Sequence, residues 1–333
     1  MNKLLELIFP VMTWGPKYSL SCFRADLVAG TVVLFITVPQ VIAYAFLAGM
    51  PAEAGLYAAM MSLLGYAIFG SSRALAVGPT AIIGMMTLEA ASAYANPGTV
   101  DYTETVVQLC VVTGIVLIVL RIVNFGSVIS FLSHAVVTGF ITAAAILIIS
   151  NQFPLMIGLA SSPDTSIVGV YRYLFEDASQ FNQAVVSVSL VAVVVLVFCK
   201  TYLGSLLKRT GLADGVIDSL VKSAPMYAVV IGVLSVRFFS LDTASGVPVV
   251  GDIPTVLPDI NVVLMSLERF QALLPSALLI SMVIFMESTS IGTAIASKAR
   301  EKLNPNQELV GLGVANLGSS LVGGFPVAGS FAR

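Results

Sequence analysis

Long apolar runs alternate with short polar stretches along most of the chain. A helix needs about 20 apolar residues to cross a bilayer. The longer runs therefore predict spanning helices near 25–48, 52–70, 105–121, 127–150, 182–199, 224–240, 271–296 and 308–325. Two shorter apolar segments, 80–95 and the one beginning at Ala328, each follow a short stretch with glycine and proline, which we call a break. The first break contains Gly78 and Pro79, and the second contains Gly324 and Pro326. They predict half-helices that start inside the membrane.

The first 23 residues are apolar but interrupted. Glu6 and Pro10 break the run, so it does not have the pattern of a spanning helix. We expect an interfacial segment here, with Trp14 and Tyr18 at the level of the lipid headgroups.

Polar residues inside two spanning runs stand at matched distances from the two breaks. Gln40 lies in the first long run and Pro79 follows 39 residues later, while Glu287 lies in the run 275–296 and Pro326 also follows 39 residues later. A charge at the centre of a spanning helix costs about 2.5–3.5 kcal/mol, so such a residue usually faces a protein interior or a water-filled cavity. Corresponding broken segments in two halves are typical of the binding site of an inverted-repeat transporter.

The two breaks have the chemistry of an anion cradle. A half-helix that starts in mid-membrane presents unpaired backbone N–H groups and the positive end of its dipole. Pro79 and Pro326 suit such starts, because proline lacks an N–H and favours extended backbone in the residue before it. Gly and Pro are also common in ordinary membrane helices, but the matched spacing favours a site. We expect both breaks in one cavity near mid-membrane, with both helix N-termini directed into it.

Small residues recur at every fourth position of the run 308–325, at Gly311, Ala315, Ser319 and Gly323. A stripe of this kind lets two membrane helices approach closely. We therefore expect this helix to pack tightly against a neighbour.

The composition places the chain among polytopic membrane proteins. Of its 333 residues, 57% are apolar and 10% are charged, and the mean hydropathy is +0.97, whereas soluble domains are about 25% charged. The net charge is −2 and the basic residues are dispersed, which disfavours nucleic-acid binding. The three cysteines have no metal or redox spacing, so we expect no metal and no cofactor.

The basic residues predict the orientation, because positive charges favour cytoplasmic loops. A cytoplasmic N-terminus leaves only Arg172, Arg237 and Arg269 outside. This orientation makes the two half-helices antiparallel. We expect a multi-pass protein of the cell inner (plasma) membrane.

Several motifs together resemble those of one transporter family. They are FRADLVAGTVV, VPQVIAYAFLAGMPAEAGLYAA, SSRALAVGPTA, LSHAVVTGFITAAAILI, NQELVGLGVANLGSSLVGGFPVAGSFAR and the helix that carries Glu287. In these the chain resembles the SulP anion permeases, the sulfate permease family that includes bicarbonate and dicarboxylate carriers. The resemblance implies an all-α fold of fourteen segments in two inverted repeats of seven, divided into a core and a gate domain. It also implies an anion held between the half-helices of segments three and ten, a cytoplasmic STAS domain after the last segment, and a homodimer in the full-length form.

Compared with that family pattern, the chain stops at Arg333, just inside segment ten. We therefore expect a truncated chain that lacks segments eleven to fourteen and the STAS domain. The expected division is an interfacial segment at 1–23, a first repeat at 24–240, an outer connection at 241–270 and the start of the second repeat at 271–333.

The resemblance also assigns site residues. Those expected around the anion are Gln40, Tyr44, Thr80, Ala81, Gly329, Ser330, Phe331 and Arg333. Apart from the resemblance, the carboxylate in the middle of a spanning run predicts a coupling-ion site at Glu287, with Ser288 and Ser290 beside it. A guanidinium at Arg333 suits oxyanion recognition, although this side chain could instead extend to an interface. Thr80 could equally cap its own helix.

The leading functional hypothesis is a secondary active anion transporter, with sulfate uptake coupled to protons through Glu287. The alternatives are a bicarbonate or dicarboxylate carrier, coupled to protons or sodium, and a passive anion exchanger or channel of the same fold. A related nucleobase carrier is a further rival, disfavoured by the motifs. An intramembrane enzyme is disfavoured because the sequence has no GxSxG and no HExxH motif.

Overall fold

Helices make up nearly all of the regular structure in the computed structural model. It describes residues 9–127, 134–160, 162, 166–177, 180–211, 214–251, 260, 262–300 and 303–330. Five helices are long and apolar enough to cross a membrane, namely Leu20–Leu47, Ala52–Phe69, Val100–Ile122, Gln183–Lys208 and Leu267–Ser297. Shorter apolar helices lie at Ala81–Ser92, Ala145–Met156 and Ala224–Phe238. The predicted all-α membrane fold is confirmed.

The elements follow one another in chain order. The helices are α1 (Val11–Trp14), α2 (Leu20–Leu47), α3 (Ala52–Phe69), α4 (Ala81–Ser92), α5 (Val100–Ile122), α6 (His134–Met156), α7 (Ile167–Glu176), α8 (Gln183–Phe198), α9 (Gly204–Lys208), α10 (Asp214–Lys222), α11 (Ala224–Phe238), α12 (Leu241–Ser245), α13 (Leu267–Ala299) and α14 (Pro305–Leu321). The strands are β1 (Val77–Gly78) and β2 (Ala328–Gly329). A 3₁₀ turn at Gly15–Lys17 follows α1, and a π-helical turn at Cys199–Leu203 joins α8 to α9.

The chain forms two compact units, each built from separate stretches. The first contains Met1–Ala25, Gln40–Phe140 and Ile253–Arg333, and the second contains Asp26–Pro39 and Ile141–Asp252. In the second unit α11 packs against α8, and the side chain of Asn182 caps the start of α8. Both strands and the residues discussed below belong to the first unit.

In the first unit α14 packs between α3 and α5, and α13 packs along α5. The small-residue stripe makes the contact with α3 possible. A Cβ atom on Gly311 would lie 2.7 Å from the Cα of Gly70 and 3.1 Å from the ring of Tyr66, so only glycine allows this approach. Ala315, one turn further along, is fully buried. The predicted close packing of this helix is confirmed.

The structure corrects the sequence prediction at the second break. The run predicted as a helix to 325 ends at Leu321, because Gly323 takes a left-handed conformation with φ +72° and turns the chain. The half-helix predicted to begin at Ala328 does not begin there, since Ala328 and Gly329 form a strand. The first half-helix starts close to where it was predicted, at Ala81.

Candidate functional site

The two breaks lie side by side as an antiparallel pair. Val77 pairs with Gly329 and Gly78 pairs with Ala328. The pairing continues by one residue, since the backbone N–H of Ser330 donates to the carbonyl of Ala76 at 2.9 Å. The structure thus brings together segments that the sequence matched only by spacing. That both helix N-termini share one cavity stays a prediction, because residues 331–333 lie outside the described part.

Each break is held by a polar side chain from the helix that precedes it. The hydroxyl of Ser62, on α3, donates to the carbonyl of Val77 at 3.2 Å. The amide of Asn316, on α14, donates to the carbonyl of Val327 at 3.0 Å and accepts the Val327 N–H at 3.0 Å. Sequence reasoning missed both residues. A lone amide within the small-residue run GLGVANLGSSL was the available signal for Asn316.

Thr80 occupies the N-cap position of α4 but does not cap the helix with its side chain. Its backbone is extended, with φ −129° and ψ 155°, and its hydroxyl makes no capping bond. The first N–H groups of a helix have no partner within the helix. The start of α4, at Thr80 and Ala81, therefore presents backbone donors and the positive end of a helix dipole in a buried position. The capping alternative for Thr80 is wrong.

Two successive residues of α13 each reach one of the breaks. Glu287 is buried, and its Oε2 lies 3.5 Å from the Thr80 hydroxyl, beside the start of α4. Ser288 accepts a hydrogen bond from the backbone N–H of Gly329 at 2.8 Å. A Cβ atom on Gly329 would stand 3.0 Å from the Cα of Ser288, so a glycine is needed for this approach. The hydroxyl of Ser290 instead donates to the carbonyl of Met286 in its own helix, at 2.7 Å.

The polar pair predicted on α2 lies close to the same half-helix. The amide of Gln40 donates to the Tyr44 hydroxyl at 2.9 Å. Gly84, one turn into α4, is in close contact with α2, since its Cβ would lie 3.1 Å from the carbonyl oxygen of Tyr44. The described residues thus include Gln40, Tyr44, Thr80, Ala81, Gly329 and Ser330 of the predicted anion site. Phe331 and Arg333 lie outside them.

Among the described residues, Glu287 and the dipole of α4 bring opposite charges to the start of α4. An ionised carboxylate at this place repels anions, and a protonated carboxyl does not. Within the described residues no group of three His, Cys, Asp or Glu side chains could hold a metal ion.

A protein-family profile and several individual proteins are similar to nearly the whole chain. The profile described as "Sulfate permease family" matches residues 23–333. Sulfate transporter 4.1, chloroplastic, of Arabidopsis thaliana is 34% identical over 331 residues, which are 99% of this chain and 46% of the relative. A probable sulfate transporter of Mycobacterium tuberculosis is 30% identical over 335 residues, which are 98% of this chain and 57% of the relative. The chain thus spans about half the length of these relatives.

Solved structures share the fold. The structure of SLC26A9 matches with a TM-score of 0.85 and 22% identity, covering 99% of this chain and 52% of the other. The transmembrane domain of the cyanobacterial bicarbonate transporter BicA matches with a TM-score of 0.75 and 20% identity, covering 94% of this chain and 76% of the other. At these identities the likeness concerns the fold alone.

Proposed function

This chain belongs to the sulfate permease family, and we propose that it is the anion-binding part of a secondary active transporter that takes up sulfate with protons. One observation carries the proposal. A carboxylate that can exchange a proton, Glu287, stands 3.5 Å from the residue that opens a half-helix, and its neighbour Ser288 bonds the opposing break. These contacts support a proton site and an anion site within one small region.

In the proposed binding mode the anion is held mainly by backbone groups. The uncapped first turn of α4 supplies N–H donors and a positive dipole end, which is a general anion-binding arrangement. The proposed anion contacts are Gln40, Tyr44, Thr80, Ala81, Gly329, Ser330, Phe331 and Arg333. In this proposal Arg333 adds a full positive charge.

Coupling follows from electrostatics. When Glu287 is ionised, its negative charge opposes an anion at the start of α4, and when it takes up a proton that opposition ends. Proton and anion therefore bind best together. We propose that the loaded site then moves by alternating access, with Glu287 releasing its proton on the other side.

A second candidate rests on the same oxygen atoms. Carboxylate and hydroxyl oxygens, here those of Glu287 and Thr80, are ligands that suit a hard cation such as sodium. A sodium-coupled carrier of bicarbonate or a dicarboxylate is therefore the alternative. A passive exchanger or channel would have no use for a carboxylate at this place. We further propose a location in the cell inner membrane, a cytoplasmic N-terminus and a homodimer for the full-length protein.

The test is transport by the purified full-length protein in liposomes. Uptake of radiolabelled sulfate, bicarbonate and fumarate is measured under an imposed proton gradient and, separately, under an imposed sodium gradient. We expect sulfate to accumulate with the proton gradient, and an ionophore that collapses the gradient to abolish accumulation. Accumulation driven only by sodium would favour the alternative, and transport that never exceeds equilibrium would contradict active transport.

A further inference from the structure

A second buried carboxylate, absent from the predicted site, lies in the first turn of α14. Glu308 is 0% exposed. The Tyr66 hydroxyl lies 2.7 Å and 2.8 Å from the two carboxylate oxygens of Glu308 and donates to them. The Ser71 hydroxyl donates to one of these oxygens at 2.6 Å. A buried carboxylate is costly unless its oxygens are satisfied, and here the surrounding groups satisfy them.

Glu308 and Glu287 therefore have different environments. The hydrogen bond described for Glu287 is a single one at 3.5 Å from Thr80, whereas two hydroxyl groups, those of Tyr66 and Ser71, donate to Glu308 at 2.6–2.8 Å. The two hydroxyl donors fix the orientation of the Glu308 carboxyl group between Tyr66 and Ser71.

The loop that Glu308 bonds, through Ser71, comes directly before the first break in the chain. Ser71 and Ser72 follow α3, and only the residues 73–76 separate them from β1. The neighbouring side chain, Gln307, donates to the carbonyl of Phe69 at 2.7 Å, at the end of α3. The Ser72 hydroxyl accepts the N–H of Leu75 at 3.2 Å. The start of α14 thus holds the beginning of this loop.

The far end of the same loop belongs to the paired breaks. The carbonyl of Ala76 accepts the N–H of Ser330 at 2.9 Å. A slip of one residue in a strand pair turns every side chain to the opposite face. A change in how the loop is anchored would therefore move Thr80 relative to Glu287.

From these contacts we propose that Glu308 is a positioning residue for the anion site. It anchors the loop of residues 71–76 to α14 and so sets the register of β1 against β2, without touching the anion. The proposal rests on the proposed function, because it gives the same site a second carboxylate with a different task. In this proposal Glu287 exchanges a proton during transport, whereas Glu308 holds the loop in place.

The first test compares variants of the full-length protein in liposomes. Glu308→Gln replaces an acceptor oxygen with an NH₂ group that faces donors, and Tyr66→Phe is a milder change that removes one donor. We expect Glu308→Gln to raise the KM for sulfate about tenfold, as for the loss of one hydrogen bond to a charged group, with the proton-to-sulfate ratio unchanged. Tyr66→Phe gives a smaller rise, and Glu308→Asp recovers part of the loss.

Asn306→Ala is the matched control. Asn306 lies in the same turn of α14, but its side chain accepts the N–H of Gly126, beyond the end of α5, rather than holding the loop before the break. We expect this control to leave the KM unchanged. An equal rise in KM for Asn306→Ala would show a general effect of α14 stability and would overturn the proposal. An altered proton-to-sulfate ratio in Glu308→Gln would overturn it too, since Glu308 would then take part in coupling.

A second measurement does not depend on transport. Hydrogen–deuterium exchange of the purified full-length protein reports the backbone amides of residues 74–78 and 328–330. Faster exchange at both breaks in Glu308→Gln and Tyr66→Phe, but not in Asn306→Ala, supports the positioning role even if the wild-type protein carries no sulfate. Unchanged exchange in a folded Glu308→Gln protein refutes the positioning role even if sulfate transport is confirmed.

Discussion

Replacing Glu287 by glutamine separates proton coupling from anion binding. Glutamine keeps the size and hydrogen-bonding capacity of a protonated carboxyl group, but it cannot lose a proton. We expect the full-length Glu287→Gln variant to lose proton-driven accumulation of the anion. We also expect it to retain binding, because the uncapped start of α4 is unchanged.

The size of the effect on binding follows from the geometry. The Thr80 hydroxyl is 3.5 Å from the Glu287 carboxylate, and an anion bonded to Thr80 would stand about 3 Å beyond it, which gives roughly 6 Å between the charges. At an effective dielectric constant of about 20, a unit charge and the two charges of sulfate repel at this distance by about 5.5 kcal/mol. This energy corresponds to about 10⁴-fold in Kd. At alkaline pH the variant should therefore bind the anion more tightly than the wild type.

The sign of the pH dependence follows from the same repulsion. Wild-type affinity for the anion rises as the pH falls, because protonation of Glu287 removes the negative charge. The affinity of Glu287→Gln stays flat, and the two proteins converge at acidic pH. Binding of radiolabelled sulfate to the purified protein across a pH series measures both curves.

Two controls make this test specific. Thr289→Val changes a residue of the same helix whose hydroxyl bonds to the carbonyl of Phe285 within α13, so we expect wild-type binding and coupling. Glu287→Asp keeps a carboxylate and should retain a pH dependence. If Glu287→Gln accumulates sulfate against its gradient with the wild-type pH profile, Glu287 is structural and the coupling group lies elsewhere.

Three further variants test the geometry of the breaks. Thr80→Val should weaken sulfate binding up to about tenfold through the loss of one hydroxyl, whereas Thr80→Ser should bind like the wild type. Asn316→Leu leaves the N–H and the carbonyl of Val327 without their partner, at about 1–3 kcal/mol for each group, and should lower the thermal unfolding midpoint of the detergent-solubilised protein. Gly329→Val forces side-chain atoms against the backbone of Ser288 and should destabilise the protein by about 1–3 kcal/mol. Gly329→Ala should destabilise it less, and the same thermal assay measures both variants.

Each of these variants has an outcome that contradicts its reasoning. Unchanged sulfate affinity in Thr80→Val would remove the hydroxyl from the anion site. If Asn316→Leu unfolds at the same temperature as the wild type, the second break keeps its conformation without the Asn316 amide. Equal stability of Gly329→Val and the wild type would show that the two backbones can separate at no cost.

Much of the architecture was predictable from local sequence. Apolar runs of spanning length follow from the thickness of the bilayer, and they identified the membrane class and most helices. The Gly/Pro breaks before Thr80 and before Ala328 were visible because proline and glycine act on the backbone at their own positions. The stripe that includes Gly311 and Ala315 was readable because residues four apart share one face of a helix.

Other features depended on which helices meet. The exact start of the second half-helix was predicted wrongly, because the strand at Ala328 exists only through its pairing with Gly78. Asn316 was not singled out, because its partners at the break lie 11 residues further along the chain, beyond the reach of helical periodicity. Thr80 was offered as a cap of its own helix, but its hydroxyl bonds across the structure to Glu287.

The two buried carboxylates show where the sequence stops being sufficient. The sequence alone identified Glu287, because a charge in the middle of a spanning run is conspicuous wherever that run packs. It did not distinguish Glu308 from an ordinary acidic residue in the first turn of a helix. The hydroxyl beside Glu287 is 207 residues away along the chain, and the tyrosine that bonds Glu308 is 242 residues away. A side chain's place on its own helix follows from the residues next to it, whereas its hydrogen-bond donors follow from the packing of helices that are distant in sequence, and only the tertiary structure decides that packing.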